Sequence, residues 1–222
     1  MRQTLAFDVY GTLIDTQGVA ATLEGWIGAQ ALVLARAWRE KQLEYTFRRG
    51  LMGAYADFDT CTEQALEYCC EALGIALEPE QEAELLRRYQ ELPAFADAGP
   101  ALDALRADGH RLFAFSNGTA ETVSGLLRNA GLEDRFEDLV SVDEIGCFKP
   151  DPRGYRHFLQ RANVSPPDAW LISGNPFDVI GAQAMGMRTA WLDRSRQGLF
   201  DPWGGDPTAT IGSLDGLAGV LR

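Results

Sequence analysis

The chain has 222 residues, 46% of them apolar, and a formal net charge of −12 at pH 7. That is enough apolar material for one well-buried core plus a smaller second unit, and it excludes a disordered chain. The acidic balance argues against binding nucleic acid or an anionic lipid surface, so single Arg or Lys residues near a pocket become informative.

The N-terminus has neither a basic n-region nor an apolar h-region, so no signal peptide is expected. No apolar run is read as a membrane span. Gln3-Thr4-Leu5-Ala6 is a short apolar run that reads as a buried strand. Asp8 stands at its end, and Gly11 and Thr12 turn the chain. A carboxylate at that point is a nucleophile, a metal ligand or a turn cap. Thr22-Leu23-Glu24 hints at a short helix. Ala29 to Arg49 is helical in pattern, with Leu32, Ala35, Arg39, Leu43 and Phe47 on one face. Arg39 is the anomaly on that stripe, either snorkelling to solvent or aimed into a pocket. Asp57 to Thr60 is a capped loop, and Thr62 to Leu73 is a second helix that Gly74 ends. Pro79 opens a third helix, which runs to about Leu92 and stops at Pro93. Cys61, Cys69, Cys70 and Cys147 lack C-x-x-C spacing and read as free thiols of a reducing, cytoplasmic compartment. Cys69 fits the buried stripe of its helix with Leu66 and Leu73.

From Gly99 the pattern alternates. Pro100–Ala107 is a helix, Arg111–Phe115 a strand, Thr119–Asn129 a helix and Leu139–Val142 a strand. Asp151 and Pro152 are the N-cap and first position of the next helix. Ala169–Ile172 is a strand, followed by a helix through Ala184. Thr189–Leu192 and Thr208–Ile211 are strands. Alternation of this kind predicts an α/β fold with a doubly wound, Rossmann-like parallel sheet. Residues 1–15 and 96–222 form that core domain, and residues 16–95 form an inserted helical cap domain.

Each polar cluster follows a strand. Asp8 follows the first, Ser116 and Asn117 the second, Lys149 the third, and Ser173, Asn175 and Asp178 the fourth. In a doubly wound sheet these loops converge on one crevice. Any one of them has a plainer reading: Lys149 as an exposed Lys before a Pro, Asp178 as a helix cap. Four such strand ends together are hard to explain as capping alone. The two histidines, His110 and His157, sit in no triad-like context. G-x-S-x-G, G-x-G-x-x-G and the P-loop are absent, as is a Cys/His metal set.

These four segments, in this order, resemble the haloacid dehalogenase superfamily over nearly the whole chain. Within it they resemble the (S)-2-haloacid dehalogenases rather than the phosphatases. Phosphatases of the superfamily carry a second Asp two residues after the nucleophile to protonate an alkoxide; here Tyr10 stands there, and a phenol is a poor donor at neutral pH. Halide leaves without a proton. The phosphatases hold Mg²⁺ with a Gly-Asp pair, and here the pair is Gly174-Asn175, a neutral amide in place of a charged ligand. Asp8-Val9-Tyr10-Gly11-Thr12, Arg39 with the following Lys41 to Tyr45, Ser116-Asn117-Gly118, Lys149-Pro150-Asp151, Tyr155 and Ser173 to Asp178 carry the likeness. One departure is Gly174, where the pattern has Ser; its expected effect is a looser loop around Asn175.

The resemblance implies hydrolysis of small (S)-2-haloalkanoic acids to (R)-2-hydroxyalkanoic acids, with inversion, through an ester on Asp8. Arg39, Asn117 and Phe177 would cradle the halide. Ser116 and the backbone amides of Val9 and Tyr10 would hold the substrate carboxylate. Lys149 would balance charge, Asp178 would activate water, and Asn175 would position the water or Lys149. Thr12, Ser173 and Tyr155 would support them. The implied partners are substrate, water and halide. No cofactor, metal, nucleic acid or membrane is expected, and a homodimer is compatible with the apolar cap faces. The alternatives are a Mg²⁺-dependent phosphatase or phosphotransferase of the same superfamily, and a non-catalytic binding protein of the same fold.

Overall fold

The computed structural model describes residues 2–221. Six strands form one fully parallel sheet: β1 (Thr4–Asp8), β2 (Arg111–Ser116), β3 (Asp138–Ser141), β4 (Ala169–Ser173), β5 (Arg188–Leu192) and β6 (Ala209–Ile211), in spatial order β3-β2-β1-β4-β5-β6. The order reverses at β1, so β1 is the central strand and its carboxyl end opens at the switch point. All five residues of β1 are buried, as expected of a strand covered on both faces.

Side-chain alternation sorts the sheet into two cores. Leu5, Phe7, Leu112, Ala114, Trp170 and Ile172 face one side; Ala6, Phe113, Phe115, Ala169 and Leu171 face the other. Helices α5 (Ala98–Ala107), α6 (Ala120–Asn129) and the short α9 (Leu217–Val220) cover the first face. Helix α7 (Pro152–Arg161) and Ala182 of α8 (Pro176–Ala184) cover the second.

Between β1 and α5 the chain makes α1 (Ala20–Ile27), α2 (Ala31–Met52), α3 (Phe58–Leu73) and α4 (Pro79–Tyr89), called the cap below. Its entering and leaving segments run side by side. Asp15 N donates to Pro93 O and Phe95 N to Leu13 O, each at 2.9 Å. The guanidinium of Arg194 holds both: it donates to Thr12 O at 2.8 Å, clasps both oxygens of Asp97 and lies 3.8 Å from the ring centre of Phe95.

The α3 helix begins four residues before the expected Thr62, because the side chain of Asp57 accepts from Thr60 N at 2.6 Å and caps it at Phe58. The stripe read along α2 is displaced by part of a turn. Leu32 is exposed, and the buried seam is Ala31, Leu34, Ala35, Trp38, Gln42 and Thr46, packed on α3. Arg39, Leu43 and Phe47 are half-buried at the seam's edge. The membrane expectation is corrected on length and composition: the helical run Thr16–Met52 contains an 18-residue window of mean hydropathy 1.3. In this fold the run is broken by a 3-10 turn at Gly28–Gln30, and its α2 half packs its seam into the cap. The four cysteines are free and buried.

Candidate active site

Because the strands are parallel, their carboxyl ends bring their loops to one edge. Asp8 is the last residue of β1, in register with Phe115, one residue before Ser116. After Asp8 the chain folds back at once: the amides of Thr12, Leu13 and Ile14 all donate to Val9 O. Gly11 makes this possible with φ +84°, a conformation costly for a residue with a Cβ.

The two oxygens of Asp8 are held unequally. Oδ2 accepts from Thr12 Oγ1 at 2.8 Å, Asn175 Nδ2 at 2.7 Å and Ser173 Oγ at 3.2 Å. Among the described residues, Oδ1 accepts from Lys149 Nζ alone, at 2.8 Å. Lys149 is fully buried and spends its other two hydrogens on Asp178 Oδ2 at 2.7 Å and Phe115 O at 3.1 Å. It balances the two carboxylates and has no hydrogen left for a third. Asp178 is not a helix cap here: its other oxygen accepts from Tyr155 Oη at 2.8 Å.

One ammonium between two buried carboxylates leaves the cluster one charge short of neutral. Burial alone raises the carboxyl of Asp8, but the ammonium and hydrogen bond of Lys149, the hydroxyl of Thr12 and the more distant Arg39 outweigh it, so Asp8 lies below the usual carboxylate range. Asp178 lies above that range, because burial and the charge of Asp8 prevail over Lys149. Burial lowers Lys149, but the charges of Asp178 and Asp8 more than reverse this, and it stays protonated.

Asn175 uses both amide hydrogens, on Asp8 Oδ2 and on Tyr10 O at 3.2 Å. Gly174 does not loosen its loop. Its N–H donates to Thr12 Oγ1 at 2.8 Å, and a Cβ there would lie 2.6 Å from Gly11 O, so the two turns touch backbone to backbone. Ser116 Oγ accepts from Gly118 N at 3.1 Å, and Asn117 Oδ1 accepts from Lys149 N at 2.8 Å. The hydroxyl hydrogen of Ser116 and the amide hydrogens of Asn117 have no partner among the described residues. Val9 is buried, so only its backbone can serve a ligand. Among the described residues no group of three or more His, Cys, Asp and Glu side chains is arranged to hold a metal ion.

The cap supplies the facing wall. Tyr10 packs against Phe58 and Tyr89, with ring centres 5.2 and 5.8 Å away. Burial, then the neighbouring Tyr89 and Asp59, push its phenol well above its ordinary value, which removes it further from acid work at neutral pH. Phe177 meets Phe47 of α2 edge to face at 5.1 Å. Beside them a cavity of about 500 Å³, lined by Thr46, Phe47, Leu51, Phe148, Lys149 and Phe177 among others, opens between α2 and the loops after β3 and β4.

Arg39, half-buried on α2, reaches from this wall to the turn after β1. Nη1 donates to Gln42 Oε1 at 2.7 Å and Nη2 to Tyr10 O at 3.3 Å. Among the described residues no carboxylate pairs with it, so its charge is held by neutral oxygens. The residues that sequence reasoning missed are Gln42, which accepts from Arg39, and Thr62 and Tyr89, which bond to Gln42 in turn. Gln42 and Thr46 sit on the buried seam of α2, and the signal was a polar residue at a helical core position.

A family model described as a haloacid dehalogenase-like hydrolase matches residues 3–186. The chain is similar to the haloacetate dehalogenase H-2 of Moraxella sp. (strain B), 35% identical over 99% of this chain and 97% of that one. It is 39% identical to (S)-2-haloacid dehalogenase 1 of Pseudomonas sp. (strain CBS-3), over 85% of this chain and 83% of that protein. It superposes on the L-2-haloacid dehalogenase of Xanthobacter autotrophicus with chloropropionic acid covalently bound, with a TM-score of 0.90 and 31% identity, over 100% of this chain and 99% of that one.

Proposed function

The chain belongs to the haloacid dehalogenase-like hydrolases, and from that premise we propose that it hydrolyses small (S)-2-haloalkanoic acids to (R)-2-hydroxyalkanoic acids, through an ester on Asp8. The observation that carries this reading is the donor set around Asp8. Three neutral donors hold Oδ2, and an ammonium holds Oδ1. Where a phosphatase of the family needs a charged ligand, Asn175 presents an N–H hydrogen to the carboxylate itself. Where it needs an acid, there is a buried phenol with a raised pKa.

Oδ1, with a single partner, is the attacking oxygen. It approaches C2 of the substrate in line with the carbon–halogen bond and inverts that carbon. The substrate carboxylate is received by the hydroxyl hydrogen of Ser116 and the backbone amides of the Val9–Tyr10 turn. Negative charge passes from Asp8 to the departing halide, which meets Arg39, the free amide hydrogens of Asn117 and the edge of Phe177. Oδ2 becomes the ester carbonyl oxygen, already surrounded by Thr12, Ser173 and Asn175. When water attacks the ester carbon, those three donors receive the oxyanion. Asp178 takes the proton from that water, suited to the task by its raised pKa. Tyr155 and Lys149 fix its orientation. The tetrahedral intermediate collapses as Asp178 returns that proton to the departing alkoxide oxygen, which releases the hydroxy acid; the new carboxyl of Asp8 then loses its proton to solvent and the nucleophile is restored. The covalent chloropropionic acid in the Xanthobacter relative supports an adduct of this kind. The buried free thiols suit a reducing compartment, and we place the protein in the cytoplasm.

The test is a single turnover of excess enzyme with (S)-2-chloropropionate in ¹⁸O-water, with chelator present. Label in the Asp8 peptide, with unlabelled (R)-lactate released, is the expected result. Label in lactate alone would mean direct attack by water, with Asp8 as its base. No chloride release, with Mg²⁺-dependent hydrolysis of a phosphate ester, would restore the phosphatase reading.

A further inference from the structure

Gln42 lies one turn beyond Arg39 on α2, fully buried, at the meeting point of three cap helices. Its Oε1 accepts from Arg39 Nη1 at 2.7 Å and from Tyr89 Oη of α4 at 3.0 Å. Its Nε2 donates to Thr62 Oγ1 of α3 at 2.5 Å. Thr62 spends its own hydroxyl hydrogen on Phe58 O at 2.7 Å, so it can only accept from Gln42. A guanidinium can only donate. The amide therefore has one workable orientation, with oxygen toward Arg39 and nitrogen toward Thr62.

An uncharged residue is needed here. A carboxylate at this position would also accept from Arg39, but it would cancel the guanidinium's charge and set a second acceptor against Thr62. A shorter or apolar side chain would release the fork. The other guanidinium arm reaches Tyr10 O in the turn after β1, so the same group spans from cap to nucleophile turn.

We propose that Gln42 is the positioning residue for Arg39: its neutral oxygen aims the guanidinium and leaves the positive charge whole for the departing halide. This rests on the reading of Arg39 as the halide's partner. Arg39 faces anions with its full charge because the groups that hold it carry none, and buried ion pairs elsewhere show how readily a carboxylate would take that charge up.

The test compares wild type, Gln42→Glu and Gln42→Met on (S)-2-chloro- and (S)-2-bromopropionate, with chloride and bromide product inhibition. A poorer leaving group leans harder on Arg39. Both variants should lose about tenfold more kcat on the chloro than on the bromo substrate, with KM little changed and halide inhibition weakened. A merely structural role would lower both substrates alike. Arg39→Gln is the control. If it shifts the chloro/bromo ratio and folded Gln42→Glu does not, the proposal on Gln42 is overturned. If Arg39→Gln itself leaves the ratio and halide inhibition unchanged, it is the halide role of Arg39 that fails. Should Gln42→Glu not fold, Thr62→Val removes the acceptor that orients the amide while leaving Arg39 and Gln42 in place. A wild-type ratio in folded Thr62→Val then counts against the proposal.

Discussion

The sheet edge and the cap wall face each other across the site and solve opposite electrostatic problems. On the sheet edge, two buried carboxylates converge on one buried ammonium, every hydrogen of Lys149 is used, and Asp8 carries four hydrogen bonds. On the cap wall, a single guanidinium is held by two neutral oxygens and keeps its charge. On the proposed mechanism the edge holds nucleophile and base in one geometry, and its charges are part of the fold. On the same mechanism the wall meets a negative charge that exists only after the carbon–halogen bond opens. Stability and activity should therefore be coupled at the edge and separable at the wall.

The hardest blow to the edge is Lys149→Met. It leaves two carboxylates buried without a counter-charge, and turnover should fall by about three orders of magnitude or more. Stability should fall by about 3–5 kcal/mol, the cost of breaking a buried ion pair from one side; urea unfolding monitored by circular dichroism measures it. Arg39→Lys on the wall should lose about 100-fold in kcat, since a point charge cannot replace the planar fork across Gln42 and Tyr10. Its stability should change by less than about 1 kcal/mol. Equal destabilisation by both substitutions would erase the contrast between the two regions.

The edge itself divides by pH. On the proposed mechanism alkylation needs Asp8 ionised, and its lowered pKa keeps it so as the solution becomes acid. Hydrolysis on that mechanism needs Asp178 able to take a proton, and its raised pKa means that falling pH protonates it before Asp8. Esterification of Asp8 removes the raising charge of its carboxylate but leaves burial, the largest cause of the rise. Acidification should thus stop hydrolysis before alkylation, and the ester should accumulate in acid-quenched mass spectra. If ester and turnover fall together as pH drops, Asp178 is not the base.

The edge was legible in the sequence because a parallel sheet converts chain order into spatial convergence. Asp8, Ser116, Lys149 and Asp178 each follow an apolar run, and once the runs are strands their loops have one edge to share. The wall was less legible. Helical periodicity picks out apolar repeats, so it selects a stripe through Leu32, Ala35, Arg39, Leu43 and Phe47. The true seam runs through Gln42 and Thr46, polar residues whose hydrogen bonds are satisfied inside the cap. Nothing in the local spacing says that a Gln three residues after an Arg will bond to it, or that Thr62 and Tyr89 will arrive from two other helices. The helix start at Phe58 is hidden for a related reason: Asp57 to Thr60 has the composition of a capped loop, although the side chain of Asp57 sets the N-cap of the helix itself.

Gly174 is the smallest perturbation of the edge and shows how little room it has. From the sequence, a glycine between Ser173 and Asn175 is expected to free the loop. In the structure its missing Cβ is what lets β4's loop rest on the β1 turn, with Gly11 O 2.6 Å from where that carbon would be. The neighbour is backbone, not the end of a flexible side chain, so a substitution must push the turns apart. Thr12 Oγ1 bonds to both Gly174 N and Asp8 Oδ2, so that movement reaches the nucleophile through one atom. Gly174→Ser should lower stability by about 1–3 kcal/mol, as overpacking does, and slow ester hydrolysis several-fold more than alkylation, because Oδ2 and its three donors shift together. Rapid-quench measurement of the two steps separates these effects. If Gly174→Ser is as stable and as fast in both steps as wild type, then the turn of Gly11 yields, and the edge is less rigid than its hydrogen bonds imply.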